Sequence, residues 1–589
     1  CLPTSGTYAY PTTITNALSQ QSQIVYFPCT GQIQAIKDAN DIANSRNGTT
    51  FLYSDPLRRI TKTNFSDGGE ITVGYTDSSN QVSVTQKRTS TDSISITEIY
   101  NGLGALKQRL LPASRKVDIE YDELGGQWKV YNPYVSTGDT TYGYVETRVD
   151  ALGRVKLVRK QDSNQVTVEY KANEMQVTDE VSNKKITVTD ALGRVTKVCE
   201  VGSSLSGAVS CGVSGFTASG YITTYAHNER DDLTQIVQGD HTRDMTYDNL
   251  SRMLTAQILE ISTSSSVEYS YDDNGNRTSV KDPRNKICFE YDALNRLTKK
   301  RHAQTTDTCP AGTVVAEFVY DGGGSTNSLG RLRTAWDGLS TNNPDKTTFT
   351  YDALGRVTNE DRTVSSTTYY MGYTYDLMGN VVTLSYPSSS GTRRQVTYAY
   401  KTTGELDKVS DTTSTAFDYV TGTIYSNLGP LAQISFQNAA QTLLDWNNRG
   451  LVTSIKTRKD NGGSYTDHFY LTYQYYANGQ INQILNQLVS GNLKDEKYTY
   501  DQLGRLLTAQ RGPDANIQRK YNYELDRYNN RWKQDWVAGS YGIDVEMGFT
   551  TTNNRTTDTP PYAYDNSGNL TQNHQYTATN SFTYNPENF

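Results

Sequence analysis

The sequence has little of what enzymes and membrane proteins usually need. Its 589 residues include only five histidines, which lie far apart and form no metal-ligand or triad spacing. No apolar run approaches the roughly 20 residues that a membrane-spanning helix requires, and no signal peptide is recognisable. No Gly-x-Ser-x-Gly elbow or phosphate-binding glycine loop occurs. These absences predict a chain without catalysis and without a cofactor or metal. The histidines are His227, His241, His302, His468 and His574.

Apolar residues are also scarce. The hydrophobic fraction is 35%, and it hardly changes when the 45 glycines are counted in place of the 44 tyrosines. Globular domains usually reach about 45–50% on that count, so a large buried core of leucine and isoleucine is not expected. Tyrosine supplies apolar area instead, since its ring can pack on a sheet while its hydroxyl remains hydrogen-bonded to water. This composition favours a thin, single-layer sheet.

The charge gives no sign of a nucleic-acid partner. The formal net charge is −7, and no basic run is interleaved with aromatic residues. The longest basic cluster is residues 299–301, which is typical of a solvated strand edge or turn.

One short pattern recurs along the chain. Tyr351 closes a run with alternating side chains, and Asp352 suits the first position of the turn that follows. Gly355 stands where the chain needs a positive φ to reverse, and the alternation resumes after Arg356. Close copies begin about 20–24 residues apart, with two turn signals in each unit. Among them are Tyr271, Asp272 and Gly275; Tyr351, Asp352, Gly355 and Arg356; and Tyr500, Asp501, Gly504 and Arg505.

These Tyr-Asp-x-x-Gly-Arg units resemble the YD repeats of Rhs-type proteins over nearly the whole chain. The resemblance implies an all-β fold, in which an antiparallel array of β-hairpins spirals into a hollow, barrel-like shell. Bacterial members often enclose a C-terminal toxin, and animal teneurins carry a similar shell at the cell surface. The segment rich in Asp-Pro-x-Gly-Leu, which cleaves the chain in toxin members, is not present in this sequence.

The six cysteines are interpreted as three sequential disulfides. Neighbouring cysteines are separated by 28, 12 and 21 residues, and adjacency along a hairpin meander favours pairing in order. Zinc is the alternative, but no Cys-x-x-Cys or histidine spacing supports it. Disulfides require an oxidising compartment, so this reading predicts an exported protein. The predicted pairs are Cys1 with Cys29, Cys199 with Cys211, and Cys288 with Cys309.

Two local patterns suggest chemistry but have simpler explanations. Residues 272–276 resemble part of a calcium loop but lack the closing glutamate, so a turn suffices. His241 stands next to Asp240, yet no nucleophile accompanies them. We therefore predict neither a metal site nor a catalytic site.

We expect one YD-repeat body over residues 1–589, with an irregular section at 387–450 and strand structure from Gln32 to Asn44. Neither end shows a cap, which suggests a piece of a longer polypeptide. The predicted function is a structural shell of an exported bacterial protein that encloses or presents another domain, the cargo, of the same polypeptide. The alternative is an extracellular or fibre module that binds surface glycans, other cells or neighbouring subunits. A variable effector domain after Phe589 would favour the shell, whereas further repeats or an anchor would favour the fibre.

Overall fold

The fold was analysed in a computed structural model. It describes residues 10–123, 125–262, 265–322, 326–341, 344–388, 392–413, 417–539, 542, 544–550, 553–556, 562–565, 569–575 and 578–583. These residues form 49 strands, one α-helix and two 3-10 turns. No helix among them is long and apolar enough to cross a membrane. The all-β class predicted from the sequence is confirmed.

The first and largest sheet contains 35 strands in an antiparallel meander, with β17 and β18 both pairing to β19. Its strands are β1 (Thr13–Thr15), β2 (Gln21–Tyr26), β3 (Ile33–Lys37), β4 (Thr49–Leu52), β5 (Lys62–Asn64), β6 (Glu70–Thr76), β7 (Gln81–Lys87), β8 (Ser93–Tyr100), β9 (Leu106–Leu110), β10 (Lys116–Tyr121), β11 (Gln127–Tyr131), β12 (Tyr144–Val149), β13 (Val155–Lys160), β14 (Gln165–Lys171), β15 (Glu174–Thr178), β16 (Lys184–Thr189), β17 (Val195–Val201) and β18 (Val209–Ser210). It continues through β19 (Ser219–His227), β20 (Leu233–Gln238), β21 (His241–Tyr247), β22 (Met253–Ala256), β23 (Val267–Tyr271), β24 (Arg277–Lys281), β25 (Lys286–Tyr291), β26 (Leu297–Ala303), β27 (Thr313–Tyr320), β28 (Leu332–Asp337), β29 (Lys346–Tyr351), β30 (Val357–Val364), β31 (Thr367–Tyr375), β32 (Val381–Ser385), β33 (Gln395–Tyr400), β34 (Leu406–Asp411) and β35 (Phe417–Val420).

A second antiparallel sheet of eleven strands follows, and then one of three. The second sheet consists of β36 (Gly422–Tyr425), β37 (Leu431–Ser435), β38 (Ala440–Trp446), β39 (Val452–Asp460), β40 (Tyr465–Tyr475), β41 (Ile481–Asn486), β42 (Glu496–Tyr500), β43 (Leu506–Arg511), β44 (Arg519–Leu525), β45 (Arg531–Gly539) and β46 (Val545–Glu546). The third consists of β47 (Ala563–Tyr564), β48 (Leu570–Gln575) and β49 (Ala578–Ser581). The 3-10 turns are Asp77–Ser79 and Ser490–Asn492.

The section 387–450 contains regular strands, although it has few intact motifs. The loss of motifs there does not remove the strands, since β33 to β35 and β36 to β38 are paired in order. Pairing stops between β35 and β36, where Thr421 separates the first sheet from the second. Across this gap, the Thr423 hydroxyl donates a hydrogen bond to the carbonyl of Leu406, at 2.6 Å.

The predicted strand from Gln32 to Asn44 is wrong in its second part. Strand β3 ends at Lys37, and helix α1 (Ala39–Ala43) follows it. The Asp38 carboxylate accepts the Asp41 amide at 2.7 Å, and the Asp41 carboxylate accepts the Asp38 amide at 3.3 Å. This reciprocal capping gives hydrogen-bond acceptors to two backbone amides that have no acceptor within the short helix.

Buried apolar side chains are few, as the composition predicts. The one cluster of fully or nearly fully buried apolar residues among those described contains Ile186, Cys199, Cys211 and Phe216. Elsewhere, contacts join mainly strands that are neighbours in a sheet, so the hydrogen-bonded strand ladders and their turns hold the sheet together.

Candidate functional site

The YD turn, the turn that begins with the repeated Tyr-Asp pair, uses every acceptor of its aspartate. The Asp352 carboxylate accepts the backbone amides of Leu354 and Arg356, both at 2.9 Å. The Arg356 Nε donates to the same carboxylate at 2.5 Å. Gly355 has a φ of +87°, a conformation that other residues adopt only at a cost. The geometry of this turn therefore uses the Asp352 carboxylate, the positive φ of Gly355 and the Arg356 side chain.

The other two repeat turns singled out from the sequence have the same arrangement. Asp501 accepts the amide of Arg505 at 2.9 Å and its Nε at 2.7 Å, and Gly504 has a φ of +75°. Asp272 accepts the amide of Asn276 at 2.8 Å and its side-chain nitrogen at 2.9 Å. The aspartate of the calcium-like pattern is thus occupied by its own turn. No group of three or more His, Cys, Asp or Glu side chains in the described part of the chain could hold a metal ion.

The tyrosine of each YD turn ties its repeat to the preceding one, which the sequence analysis missed. The Tyr351 hydroxyl donates to the carbonyl of Leu332 at 2.6 Å, and the Tyr271 hydroxyl donates to that of Met253 at 2.9 Å. The Tyr500 hydroxyl does the same to Ile481 at 3.0 Å. Most copies carry tyrosine at this position, and this preference for an aromatic residue with a hydroxyl is the signal that could have revealed the contact.

The arginine of the turn reaches in the opposite direction, to the next repeat. The Arg356 guanidinium donates to the carbonyl of Asp376 at 3.0 Å and lies 5.0 Å from the ring centre of Tyr375. Arg505 donates likewise to the carbonyl of Asp526 at 2.6 Å. The motifs at Tyr351 and Tyr500 therefore bond to the repeat before them through tyrosine and to the repeat after them through arginine.

Hydrogen bonds of this kind lower the pKa of several turn carboxyls. The Arg154 guanidinium lowers the pKa of Asp150, and the Asn276 side chain lowers that of Asp272. At Asp292, burial opposes the change, but the amide and guanidinium of Arg296 outweigh it and the pKa is again lowered. The turn carboxyls with lowered pKa are Asp55, Asp150, Asp190, Asp248, Asp272, Asp292 and Asp321.

We expect the free energy of unfolding to stay level from pH 7 to about 5 and to fall as the pH drops below about 4, near the ordinary aspartate pKa. A carboxyl with a lowered pKa in the folded state stabilises the fold above its unfolded pKa, and this stability is lost as the pH falls through the folded pKa. Asp361, whose pKa burial raises, acts in the opposite sense but is a single group. Urea unfolding followed by circular dichroism at several pH values measures the effect. Stability that rises between pH 5 and 3 would contradict it.

A line of contacts, here called the seam, joins the N-terminal half (residues 10–290) to the C-terminal half (residues 320–575). The strands have YD turns at one end, and the turns at their other end are here called return turns. At the seam, return turns of the N-terminal half meet YD turns of the C-terminal half. The Arg356 guanidinium donates to the Asp67 carboxylate at 2.9 Å, and the Asn40 amide group donates to the carbonyl of Leu329, also at 2.9 Å.

The hydrogen-bonded seam partners are 281 to 316 residues apart along the chain, and the ion pair of Glu180 with Arg449 spans 269. The pairs, with the N-terminal residue first, are Asn40 with Leu329, Arg46 with Asn327, Asp67 with Arg356, Arg88 with Leu377, Arg115 with Glu405, Asn132 with Asn448, Asp139 with Asn427, Ser204 with Gln502, Gln238 with Tyr528, Glu260 with Arg555 and Arg284 with Asp565. Their order along one half matches their order along the other, apart from two inversions between neighbouring pairs, at Asn40 and Arg46 and at Asn132 and Asp139.

The buried histidine of the seam has a packing contact instead of catalytic partners. His241 is fully buried, and its ring stacks on Tyr528 of the other half with the ring centres 4.0 Å apart. Neither of its ring nitrogens has a hydrogen-bond partner among the residues that the structure describes. Asp240, which the sequence placed beside it, instead donates its backbone amide to the Tyr528 hydroxyl at 3.2 Å. In this geometry, His241 and Asp240 both contact Tyr528 across the seam.

Two of the three predicted disulfides lie within the described residues. Cys199 is bonded to Cys211 and Cys288 to Cys309, with Cα–Cα distances of 5.7 Å and 5.6 Å. Cys29 is also disulfide-bonded. Its predicted partner, Cys1, lies outside the described residues.

Comparisons with known proteins identify a matching repeat family and solved structures with a similar fold. Residues 271–307 match the family described as RHS Repeat, whereas no curated protein matches the sequence. A crystal structure of TcdB2-TccC3 has a TM-score of 0.78 at 13% identity, over 98% of this chain and 34% of its own. A TcdB2-TccC3-Cdc42 structure has a TM-score of 0.79 at 12% identity, over 98% and 36%.

The Photorhabdus luminescens Tc holotoxin pore has a TM-score of 0.71 at 14% identity, over 86% of this chain and 29% of its own. The chain thus spans about a third of the length of the solved structures that it matches. Such low identities show the fold alone. The resemblance predicted from the YD motifs is confirmed: the chain carries an RHS repeat at residues 271–307 and has the fold of the TcdB2-TccC3 structures.

Proposed function

We propose that this chain is the non-catalytic wall of a hollow shell, in which the ribbon of strands winds through more than one full turn. The shell encloses or presents another domain, the cargo, of a larger exported protein. The observation that carries the proposal is the seam, whose partners keep a nearly constant separation of 269 to 316 residues. A ribbon that has come round once and lies against its own earlier edge makes contacts of this kind.

The order of the seam contacts along the chain supports a ribbon of strands that winds round over a ribbon that folds back on itself. If the ribbon folded back on itself, the separation between partners would shrink steadily toward the fold. Here the separation is 289 residues for Asp67 with Arg356 and 281 for Arg284 with Asp565, far along the chain. Return turns always meet YD turns, so the two halves run in the same direction side by side.

The chemistry of the turns supports a structural role. The aspartates, arginines and tyrosines that could serve a catalytic site are used by bonds within and between the repeats. Active sites usually break such a pattern, because their residues serve something other than the fold. The two disulfides support export, since such bonds persist in oxidising compartments.

Electron cryomicroscopy of the purified chain of residues 1–589 tests the proposal. We expect a hollow particle whose wall is one sheet thick. A particle filled by sheets stacked face to face about 10 Å apart would overturn it.

A reporter domain fused after Phe589 tests enclosure or presentation by the shell. We expect the fused reporter to be cleaved more slowly by added protease than the same reporter with its linker alone. A hydrolase activity of the purified chain on glycans or peptides would overturn the structural, non-catalytic role.

A further inference from the structure

A row of exposed leucines marks the YD-turn edge of the N-terminal half. The leucine two positions after the turn Asp or Asn is largely exposed there, although such side chains are rarely left in water together. Its exposed fraction ranges from 69% at Leu57 to 90% at Leu103. The row consists of Leu57, Leu103, Leu152, Leu192 and Leu250.

The same position of the motif is less exposed in the C-terminal half. Leu354 is 39% exposed, whereas Leu152 and Leu192, in the same Asp-Ala-Leu-Gly-Arg sequence, are 77% and 73% exposed. Met378 and Leu503 are half-buried. The C-terminal turns belong to the seam, where Arg356 and Gln502 contact return turns of the N-terminal half. The exposed leucines of the N-terminal half therefore form the same kind of YD-turn surface that the seam partly buries in the C-terminal half.

The complementary surface is also open, on the return-turn edge of the C-terminal half. Large apolar side chains near the return ends of its strands are exposed by 37% to 50%. The apolar residues are Val364, Tyr369, Phe417, Tyr465, Leu488 and Val537.

We propose that the leucine row is an interaction surface for a second copy of this chain, which docks with the return-turn edge of its C-terminal half. The contact repeats the seam between molecules. One edge of each copy meets the opposite edge of the next, so the interface is heterologous and assembles copies head to tail. The inference rests on the wound ribbon proposed above, since it takes the seam as its template.

Analytical ultracentrifugation over a range of concentrations tests the proposal. We expect the wild-type chain to form dimers and longer assemblies as its concentration rises. The triple variant Leu152→Gln, Leu192→Gln, Leu250→Gln should weaken this association by about a hundredfold or more, as when anchor side chains of an interface are removed. The matched control replaces Ile96, Val145 and Leu254, which are exposed by 36% to 40% within strands, by glutamine and should associate like the wild type.

Mixing two edge variants tests the head-to-tail direction. A second variant, Phe417→Gln, Tyr465→Gln, Val537→Gln, removes the return-turn edge and keeps the leucine row. Each variant alone should be monomeric, whereas their mixture should form a dimer and nothing larger.

A wild-type chain that stays monomeric, a leucine variant that associates like the wild type, or a mixture without dimer would overturn the inference. A hollow monomer would overturn this inference alone, whereas a filled particle would overturn the proposed function.

Discussion

Replacing Cys199 and Cys211 together by alanine is expected to lower the free energy of unfolding by about 3 kcal/mol, because the bond closes a loop of moderate length in the unfolded chain. The two cysteines are 12 residues apart and fully buried against Ile186 and Phe216. Their loss also removes atoms from the one apolar cluster of the described residues. Urea unfolding of the variant and the wild type measures the difference.

The matched control is the second disulfide. Replacing Cys288 and Cys309 by alanine removes a crosslink with a separation of 21 residues, where no comparable apolar cluster is found among the described residues. The loss should be smaller than for the first pair, although its loop is longer. Labelling of thiols in urea without reductant should detect none at these four positions. Free thiols, or an unchanged stability of the first variant, would contradict the pairing.

Features that depend on neighbours within a few residues could be predicted from the sequence. Asp352, Gly355 and Arg356 act within one turn, so their types and spacing suffice to predict it. The Tyr351 hydroxyl and the Arg356 guanidinium form hydrogen bonds to other repeats, and the motif alone does not predict which groups they contact there. Helix α1 was missed because its capping pair, Asp38 and Asp41, has aspartate where glutamate or glutamine usually stands.

The seam left no trace in the sequence at all. Arg194 and Arg356 belong to identical Asp-Ala-Leu-Gly-Arg segments, and both donate to the aspartate of their own turn and to a carbonyl of the next. Only Arg356 also reaches a carboxylate 289 residues away. Which copy lies at the seam depends on how far the ribbon turns at each strand, and that angle accumulates from small twists along the whole sheet.

This difference between equal motifs gives the second prediction. Arg356→Ala is expected to lower the free energy of unfolding by about 2 kcal/mol, since it leaves a mostly buried carboxylate without its charged hydrogen-bond partner. The side chains of Arg356 and Asp67 are only 22% and 10% exposed. Arg194→Ala is the matched control, because Arg194 is 23% exposed and its other partner, Asp231, is 67% exposed. The control should cost less.

A double-mutant cycle separates the seam from the turn. Asp67→Ala removes the distant partner and leaves the Asp352 turn intact, so the coupling energy between Arg356 and Asp67 reports the contact across the seam alone. We expect a coupling of about 1 kcal/mol or more for this pair and none between Arg194 and Asp67. If Arg356→Ala and Arg194→Ala cost the same and the coupling vanishes, the two halves do not meet at this point. The winding that the seam supports would then fail with it, whereas the turns and the disulfides would keep their geometry.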